Sequence, residues 1–219
     1  METIEIIALS MGAAWASGIN LYATIVMLGY MGITGNIDLP PDLQILTNPL
    51  VMAAAGFMYC VEFFADKIPG VDNAWDSLHT FIRIPAGAML AAGAVGEMGA
   101  GVELAALILG GTLSSGTHLT KSGGRVLINT SPEPFSNWVV SITEDVAVIG
   151  GLWAALQYPW LFVVFIVLFI ILIIWLLPKI WRGIKFVFRK IASLFSKQKP
   201  ELEPIGVKPL APDNPKELE

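Results

Sequence analysis

Long apolar stretches separated by short polar connections run along the chain. The longest uninterrupted one covers residues 160–177, eighteen apolar residues between two prolines. It is long enough to cross the roughly 30 Å hydrocarbon core of a bilayer. Apolar runs of helical length recur upstream. The pattern predicts an all-α, polytopic membrane protein with about six transmembrane helices, at residues 6–31, 49–66, 75–95, 102–122, 138–156 and 160–177.

The composition agrees with a membrane location. Of the 219 residues, 55% are hydrophobic and only 14% are charged, and the mean hydropathy is +0.68. These values exclude an ordinary soluble globular domain. The chain starts with Glu2 and Glu5 and has no early lysine or arginine, so it lacks the basic region of a cleaved signal peptide. We therefore expect the N-terminus to remain in the mature protein.

Basic residues are distributed unevenly along the chain. Seven of the thirteen lysines and arginines lie between residues 179 and 199. Four others, Lys67, Arg83, Lys121 and Arg125, flank two of the polar connections, whereas two further connections are acidic and carry no basic residue. Lysine and arginine are enriched in the cytoplasmic connections of membrane proteins. The distribution therefore predicts a multi-pass protein with both termini in the cytoplasm.

The predicted helices fall into a core and a final span. Residues 1–157 form the predicted membrane core domain, with two related halves at about 5–97 and 102–157. Residues 158–178 form the final transmembrane helix. The two halves would each supply part of any site in the core.

The C-terminal region differs from the membrane core. Residues 179–198 have apolar positions at helical spacing and predict a basic amphipathic helix at the membrane interface. A helix packed on the protein's own cytoplasmic face is the alternative. Residues 199–219 are acidic, rich in proline and predicted to be disordered. The basic side of the amphipathic helix is expected to bind anionic lipid, through Lys179, Arg182, Lys185, Arg189 and Lys190.

Two short segments nearly repeat each other. Ser17-Gly18-Ile19-Asn20-Leu21 recurs 98 residues later as Ser115-Gly116-Thr117-His118-Leu119. Glycine and polar side chains at membrane depth are costly unless they are buried in protein or line a cavity, and such a pair in two halves is typical of transporter sites. The predicted topology directs the two helices oppositely and so predicts an inverted repeat. An alignment with an offset of 63 residues, pairing Trp75 with Trp138, and chance similarity are the alternatives.

Carboxylates inside apolar segments add candidate chemistry. Glu62 and Asp66 are four residues apart, so a helix projects both from one face. Glu144 and Asp145 are adjacent and cannot share a face, so at least one should meet a basic partner such as Lys121. Ionisable groups at membrane depth indicate function, and purely structural ion pairs are the alternative. The candidate ligand-binding residues are Ser17, Gly18, Asn20, Thr24, Glu62, Asp66, Ser115, Gly116, His118, Lys121, Arg125, Glu144 and Asp145.

No cofactor, metal or nucleic-acid partner is predicted. Residues 120–125 lack the Gly-x4-Gly-Lys-Ser/Thr pattern of a phosphate loop, which argues against nucleotide binding. His79 and His118 have no second ligand at zinc-site spacing. The sequence also contains neither a Gly-x-Ser-x-Gly elbow nor a His-Glu-x2-His helix, so familiar hydrolase mechanisms are not indicated.

Three sequence motifs carry a resemblance to a known family. They are Ala16-Ser17-Gly18-Ile19-Asn20-Leu21-Tyr22-Ala23-Thr24, the turn Asp66-Lys67-Ile68-Pro69-Gly70-Val71-Asp72 with Trp75-Asp76, and Thr120-Lys121-Ser122-Gly123-Gly124-Arg125 with Asn129-Thr130-Ser131-Pro132-Glu133-Pro134. The chain resembles the bacterial membrane proteins of the domain-of-unknown-function 4126 family over roughly residues 5–155. The last span, the basic helix and the tail lie outside the resemblance. It implies a compact polytopic fold in the bacterial inner (plasma) membrane, and no activity or catalytic residue.

Three functions are compatible with these features. The preferred one is a small permease or channel-like transporter for a small solute that is cationic or coupled to a proton. The first alternative is an intramembrane enzyme acting on a lipid headgroup, with acid/base or metal groups and a phosphate-holding pair, namely Asp66, Asp76, His79, Lys121 and Arg125. The second is a membrane scaffold, whose glycines serve close helix packing and whose basic helix recruits a partner. A homo-oligomer is compatible with all three.

Overall fold

The computed structural model describes residues 2–130 and 134–196. The helices α1 to α6 lie at Thr3–Ile33, Pro49–Ala65, Val71–Val95, Ala100–Ile128, Pro134–Gln157 and Pro159–Ser196. Two short 3-10 helices, at Pro41–Thr47 and Gly96–Met98, lie in the connections. The described residues contain no strand, so the predicted all-α class is confirmed. The predicted disordered tail at 199–219 lies outside the described residues.

Helix α1 is the centre of the fold. It contacts each of the other five α-helices, because small buried residues such as Ala13, Ala14 and Ala16 allow neighbouring backbones to approach closely. Its one large core side chain near these residues, Trp15, meets three α6 rings edge-on at centroid distances of 6.1, 5.5 and 6.0 Å. Helix α6 lies at the periphery, since only 17% of its apolar window is buried, against 72% for α1.

The helices fit a membrane by their length and apolar character. Four spans qualify among the described residues, at Thr3–Ile33, Val71–Met98, Phe135–Gln157 and Pro159–Lys190. The 3-10 helix Pro41–Thr47 and α2 form a fifth if the pair, bent by 66°, is one span. Helix α4 is not among them, because glycine, serine and threonine dilute its apolar residues. The chain is thus a membrane-spanning helical protein, while the count of six spans, the inverted repeat and the cytoplasmic termini stay predictions.

The last predicted span and the predicted amphipathic helix form one continuous element. Helix α6 runs through Pro178, although proline removes one backbone hydrogen bond and strains a helix interior. Beyond the proline, α6 still packs closely on α4. A Cβ at Gly123 of α4 would lie 2.6 Å from Ile180 of α6, and a Cβ at Gly183 of α6 would lie 3.1 Å from Leu127 of α4. The interfacial position and the lipid contacts of residues 179–198 stay predictions.

Candidate functional site

Helix α1 breaks inside the membrane core. Asn20 has φ −146° and ψ 99°, an extended conformation within an otherwise helical segment. Its side-chain Oδ1 accepts a hydrogen bond from the backbone N–H of Ala23 at 3.0 Å, so Asn20 caps the second half of the helix. The carbonyl of Ile19 loses its usual partner and accepts instead from Lys121 Nζ at 3.0 Å. Both helix halves therefore end on groups that satisfy the freed backbone.

The Ser-Gly segment before the break packs directly on α4. A Cβ at Gly18 would lie 2.5 Å from the Ser114 carbonyl oxygen and 2.8 Å from Thr117 Cβ, so only glycine fits there. Ser17 Oγ lies 3.4 Å from Ser114 Oγ and donates to the Ala14 carbonyl at 2.9 Å. After the break, Thr24 Oγ1 donates to the Asn20 carbonyl at 2.8 Å. The segment therefore combines close helix packing with a helix break.

Arg83 of α3 is the centre of a buried ion cluster. Its Nη2 lies 2.6 Å from Glu62 Oε1 and its Nη1 lies 3.2 Å from Asp76 Oδ1. Arg83 and Glu62 have no solvent exposure. His118 Nδ1 lies 3.3 Å from Arg83 Nη1, and its Nε2 lies 2.8 Å from Thr80 Oγ1. The cluster thus joins α2, α3 and α4 through charge-assisted hydrogen bonds.

Two basic residues of α4 complete the cluster. Lys121 Nζ lies 3.0 Å from Asp66 Oδ2 and 3.3 Å from Glu62 Oε1. Arg125 Nη2 lies 3.0 Å from Asp66 Oδ2 and 2.5 Å from Glu144 Oε2. Of the two adjacent carboxylates, Glu144 is therefore the one that pairs with Lys121 and Arg125, whereas the sequence predicted only that at least one of them meets a basic partner.

The turn between α2 and α3 holds Arg125 from both of its ends. At one end, Arg125 Nη1 donates to the Asp66 backbone carbonyl at 2.7 Å. At the other, Asp72 Oδ2 lies 3.8 Å from Arg125 Nη1, and Asp72 Oδ1 accepts from the Gly70 N–H at 2.8 Å. Asn129 Nδ2 also donates to both Asp72 oxygens, at 2.9 and 2.8 Å. The turn from Asp66 to Asp72 is therefore the segment that fixes the C-terminal end of α4.

Carboxylates outnumber cations among these ion pairs. Five acids, Glu62, Asp66, Asp72, Asp76 and Glu144, pair with three bases, Arg83, Lys121 and Arg125. Several carboxylate oxygens in this region are buried without a hydrogen-bond partner among the described residues, namely Glu62 Oε2, Asp66 Oδ1, Asp76 Oδ2 and Asp145 Oδ2. Uncompensated buried charge is expensive. This buried region therefore contains more carboxylates than cations that pair with them.

Asp145 differs from the other carboxylates. Its Oδ1 accepts a hydrogen bond from Asn20 Nδ2 at 3.0 Å, and within the described residues it forms no ion pair. Lys67 lies in the turn outside the helices; burial lowers the pKa of its ammonium, and the charges of Asp145 and Asp66 oppose that shift. Asp145 therefore meets the broken helix at Asn20 without a cation in contact.

The structure brings most of the predicted site residues together. Eleven of the thirteen candidates either lie around the break in α1 or belong to the ion cluster. They are Ser17, Gly18, Asn20, Thr24, Glu62, Asp66, His118, Lys121, Arg125, Glu144 and Asp145. Ser115 and Gly116 are the exceptions and do not join them. They line an apolar cavity beside α6, and a Cβ at Gly116 would lie 3.5 Å from Ile173.

Helical spacing explains why Ser115 and Gly116 lie apart from the ion cluster. On a continuous α4, the residues that meet α1 and α3 are Ser114, Thr117, His118 and Lys121, which recur at three- and four-residue intervals. Residues 115, 116 and 119 lie on another face. Ser115 and Gly116 therefore lie outside the polar region around Gly18, one residue out of register with Ser114 and Thr117, and their role in ligand binding stays a prediction.

Several residues of the site are absent from the predicted ligand-binding set. Arg83 and Asp76 are fully or almost fully buried in the cluster, and His79 Nε2 lies 3.0 Å from the Tyr22 hydroxyl. The sequence contains a pattern that points to them: the polar residues 72, 76, 79 and 83 recur at helical spacing and so share one face of α3. A lone arginine at the end of a predicted helix is more often a topology anchor, so the position of Arg83 in the sequence does not by itself indicate a site.

The described residues contain no group of three or more histidine, cysteine, aspartate or glutamate side chains placed to hold a metal ion. The basic side chains lie between the carboxylates instead, as in the contacts of Arg83 with Glu62 and Asp76. The chemistry available here is proton binding, hydrogen bonding and electrostatic attraction.

Comparison with known proteins bears on most of the chain. Neither a curated protein nor a solved structure matches it. A family match covers residues 7–179, which confirms the resemblance and extends it through the last predicted span. The broken helix and the ion cluster both lie within the matched region. The chain belongs to the family described as Domain of unknown function (DUF4126).

Proposed function

We propose that this protein is a small permease or channel-like transporter for a small solute that is cationic or coupled to a proton. The observation that carries the proposal is the break of α1 at Asn20, whose side chain donates a hydrogen bond to Asp145. A carboxylate is thereby connected to an interruption in the central helix of a membrane protein.

The helix break supports transport because it exposes backbone polar groups at membrane depth. Irregular backbone is tolerated there only where protein or a cavity satisfies it, and secondary transporters use such interrupted helices to bind substrates and ions. Here Lys121 satisfies the freed Ile19 carbonyl. The same ammonium contacts Asp66 and Glu62. A change of charge in the cluster would therefore alter the contact that closes the break.

The charges support a proton or a cation as the coupled species. Asp145 is buried and makes no ion pair within the described part of the chain; its Oδ2 has no close hydrogen-bond partner there, and the Tyr59 side chain is a neutral neighbour of the carboxylate. A proton or a small cation on this carboxylate would neutralise the charge and occupy the free oxygen. Because Asn20 Nδ2 donates to the other oxygen, occupancy of Asp145 would bear directly on the broken segment.

The contacts do not favour the enzyme alternative. That hypothesis required Lys121 and Arg125 to hold a lipid phosphate, but both are buried and already bonded to carboxylates. Asp76, its proposed acid or base, is paired with Arg83. Binding a phosphate would require breaking these pairs and leaving buried carboxylates without cations, at a cost of several kcal/mol.

The proposal is tested by flux into reconstituted vesicles. Purified protein is placed in vesicles that contain a pH-sensitive dye, and internal pH is followed under a pH gradient, with and without external sodium, methylammonium or choline. We expect the wild-type protein to carry protons or to couple them to one of these cations. Asp145→Asn keeps an oxygen that can accept from Asn20, and we expect it to lower the flux at least tenfold.

Asp38→Asn is the matched control, because it removes the same charge from an exposed position. Its flux should equal that of the wild type. Circular dichroism and elution volume establish that Asp145→Asn is folded. Wild-type flux that survives unchanged in folded Asp145→Asn, or an absence of flux for every probe in the wild type, would overturn the proposal.

A further inference from the structure

A cavity lies along the side of α4 that faces away from the ion cluster. It has a volume of about 740 Å³ and is lined by apolar residues of α1, α3, α4 and α6. Leu109, Leu119 and Ile174 border it and are 66%, 47% and 68% exposed, so it is open toward the surrounding membrane. Ser115 and Gly116, which the sequence predicted to bind solute, lie in the wall of this cavity.

A second, more polar cavity of about 410 Å³ continues the first. Leu119 and Leu177 border both. Its wall includes Asn73, Ser77 and Ser122. Ser77 is exposed and Ser122 is partly buried, so this wall presents hydroxyl groups that can hydrogen-bond to the polar part of a ligand.

Positive charge lies beside the polar cavity. Trp181 lines it, and Lys185 Nζ lies 5.3 Å from the centroid of the Trp181 ring. Three further basic residues of this part of α6, Lys179, Arg182 and Arg189, are exposed. Lys185 beside the polar cavity, on a helix segment rich in basic residues, complements a phosphate group, and the adjoining apolar cavity complements a hydrocarbon chain.

From these features we infer that the groove between α4 and α6 binds one anionic glycerophospholipid of the phosphatidylglycerol type. An acyl chain occupies the apolar cavity, and the headgroup occupies the polar cavity, where its hydroxyls bond the side chains of Ser77 and Ser122 and its phosphate lies near Lys185. This site does not depend on the proposed transport function. The sequence predicted only that the basic residues of this segment bind anionic lipid. The inference names one position for a single lipid molecule.

Native mass spectrometry of the full chain tests this inference. The protein is reconstituted into vesicles of equal phosphatidylglycerol and phosphatidylcholine content and re-extracted in mild detergent. We expect the wild type to retain phosphatidylglycerol at least tenfold over phosphatidylcholine. Ala105 lines the apolar cavity and is exposed. Ala105→Trp should therefore fill the cavity and lower the retained lipid at least fivefold.

Two further variants separate the parts of the site. Leu104→Trp places the same ring on an exposed neighbouring position outside the cavity wall and should retain lipid like the wild type. Lys185→Gln should lower the preference for phosphatidylglycerol at least threefold. Equal retention of both lipids by the wild type, or unchanged retention by Ala105→Trp, would contradict the inference. A dimer that disappears in Ala105→Trp would instead assign the groove to a second copy of the chain and likewise overturn it.

Discussion

The two Ser-Gly segments share a sequence pattern but differ in backbone and surroundings. In α1, the segment Ser17-Gly18-Ile19-Asn20-Leu21 ends in a break at Asn20. In α4, Ser115-Gly116-Thr117-His118-Leu119 lies in the continuous helix Ala100–Ile128. The first segment lies in the core beside the ion cluster, and the small residues of the second face the α4–α6 groove. Sequence similarity at this level therefore does not imply equivalent positions in a site.

The residues at the fourth position explain the difference. Asn20 has a short side chain that bonds the backbone N–H of Ala23 and thereby competes with the helix. His118, at the matching position, reaches across to Thr80 and Arg83 of α3 and leaves its own backbone helical. The break in α1 also has an external donor, Lys121, for the freed Ile19 carbonyl. A helix breaks where both local and distant partners satisfy the backbone.

The largest expected effect comes from removing that external donor. Lys121→Met leaves the Ile19 carbonyl without its donor and removes one of the two cations that contact each of Asp66 and Glu62. Because a buried carboxylate that loses its partner is costly, we expect the free energy of unfolding to fall by about 3–5 kcal/mol. Chemical unfolding in detergent micelles measures this. Lys179→Met removes an exposed lysine that contacts the Trp175 ring and should lower stability by less than about 1 kcal/mol; equal losses in both variants would contradict the assigned role of Lys121.

An intermediate effect is expected from adding a methyl group to each motif glycine. Gly18→Ala would push Cβ against the Ser114 carbonyl oxygen, and such overpacking costs about 1–3 kcal/mol. At Gly116 the nearest atom would lie at 3.5 Å, an ordinary contact with Ile173. Gly116→Ala should therefore be neutral or stabilise the helix by up to about 1 kcal/mol. Unfolding of the two variants in the same detergent compares them, and equal destabilisation would show that the segments pack alike.

The smallest expected effect concerns the cap at the break. Asn20→Ala removes the acceptor for the Ala23 N–H and the donor to Asp145. Loss of the N-cap should lower the free energy of local opening at the start of the second half of α1 by about 1 kcal/mol. Amide hydrogen exchange at Ala23 should therefore accelerate. Asn36→Ala, at an exposed position, is the control. If exchange at Ala23 slows, α1 has closed into an uninterrupted helix and the break depends on Asn20 alone.

Much of the helical framework was predictable from the sequence. The apolar lengths and the prolines at the starts of α2, α5 and α6 define helices that match the predicted ones within a few residues, except where α4 and α6 run further. A basic partner for at least one of Glu144 and Asp145 was also predictable, because a carboxylate on an apolar helix needs a partner, but the sequence did not indicate which of the two has it. Helix bounds depend on the local sequence. The need of a carboxylate for a partner depends on the apolar residues around it in the same helix.

By itself, the sequence determined that this is a helical membrane protein with acidic and basic side chains brought into its core. Only the tertiary structure decided that α1 breaks at Asn20, that Ser114 rather than Ser115 meets Ser17, and that Arg83 is the centre of the cluster. The reason is distance along the chain. The lysine that satisfies the break lies 102 residues from Ile19, and no local pattern records which helix faces will meet across such a separation.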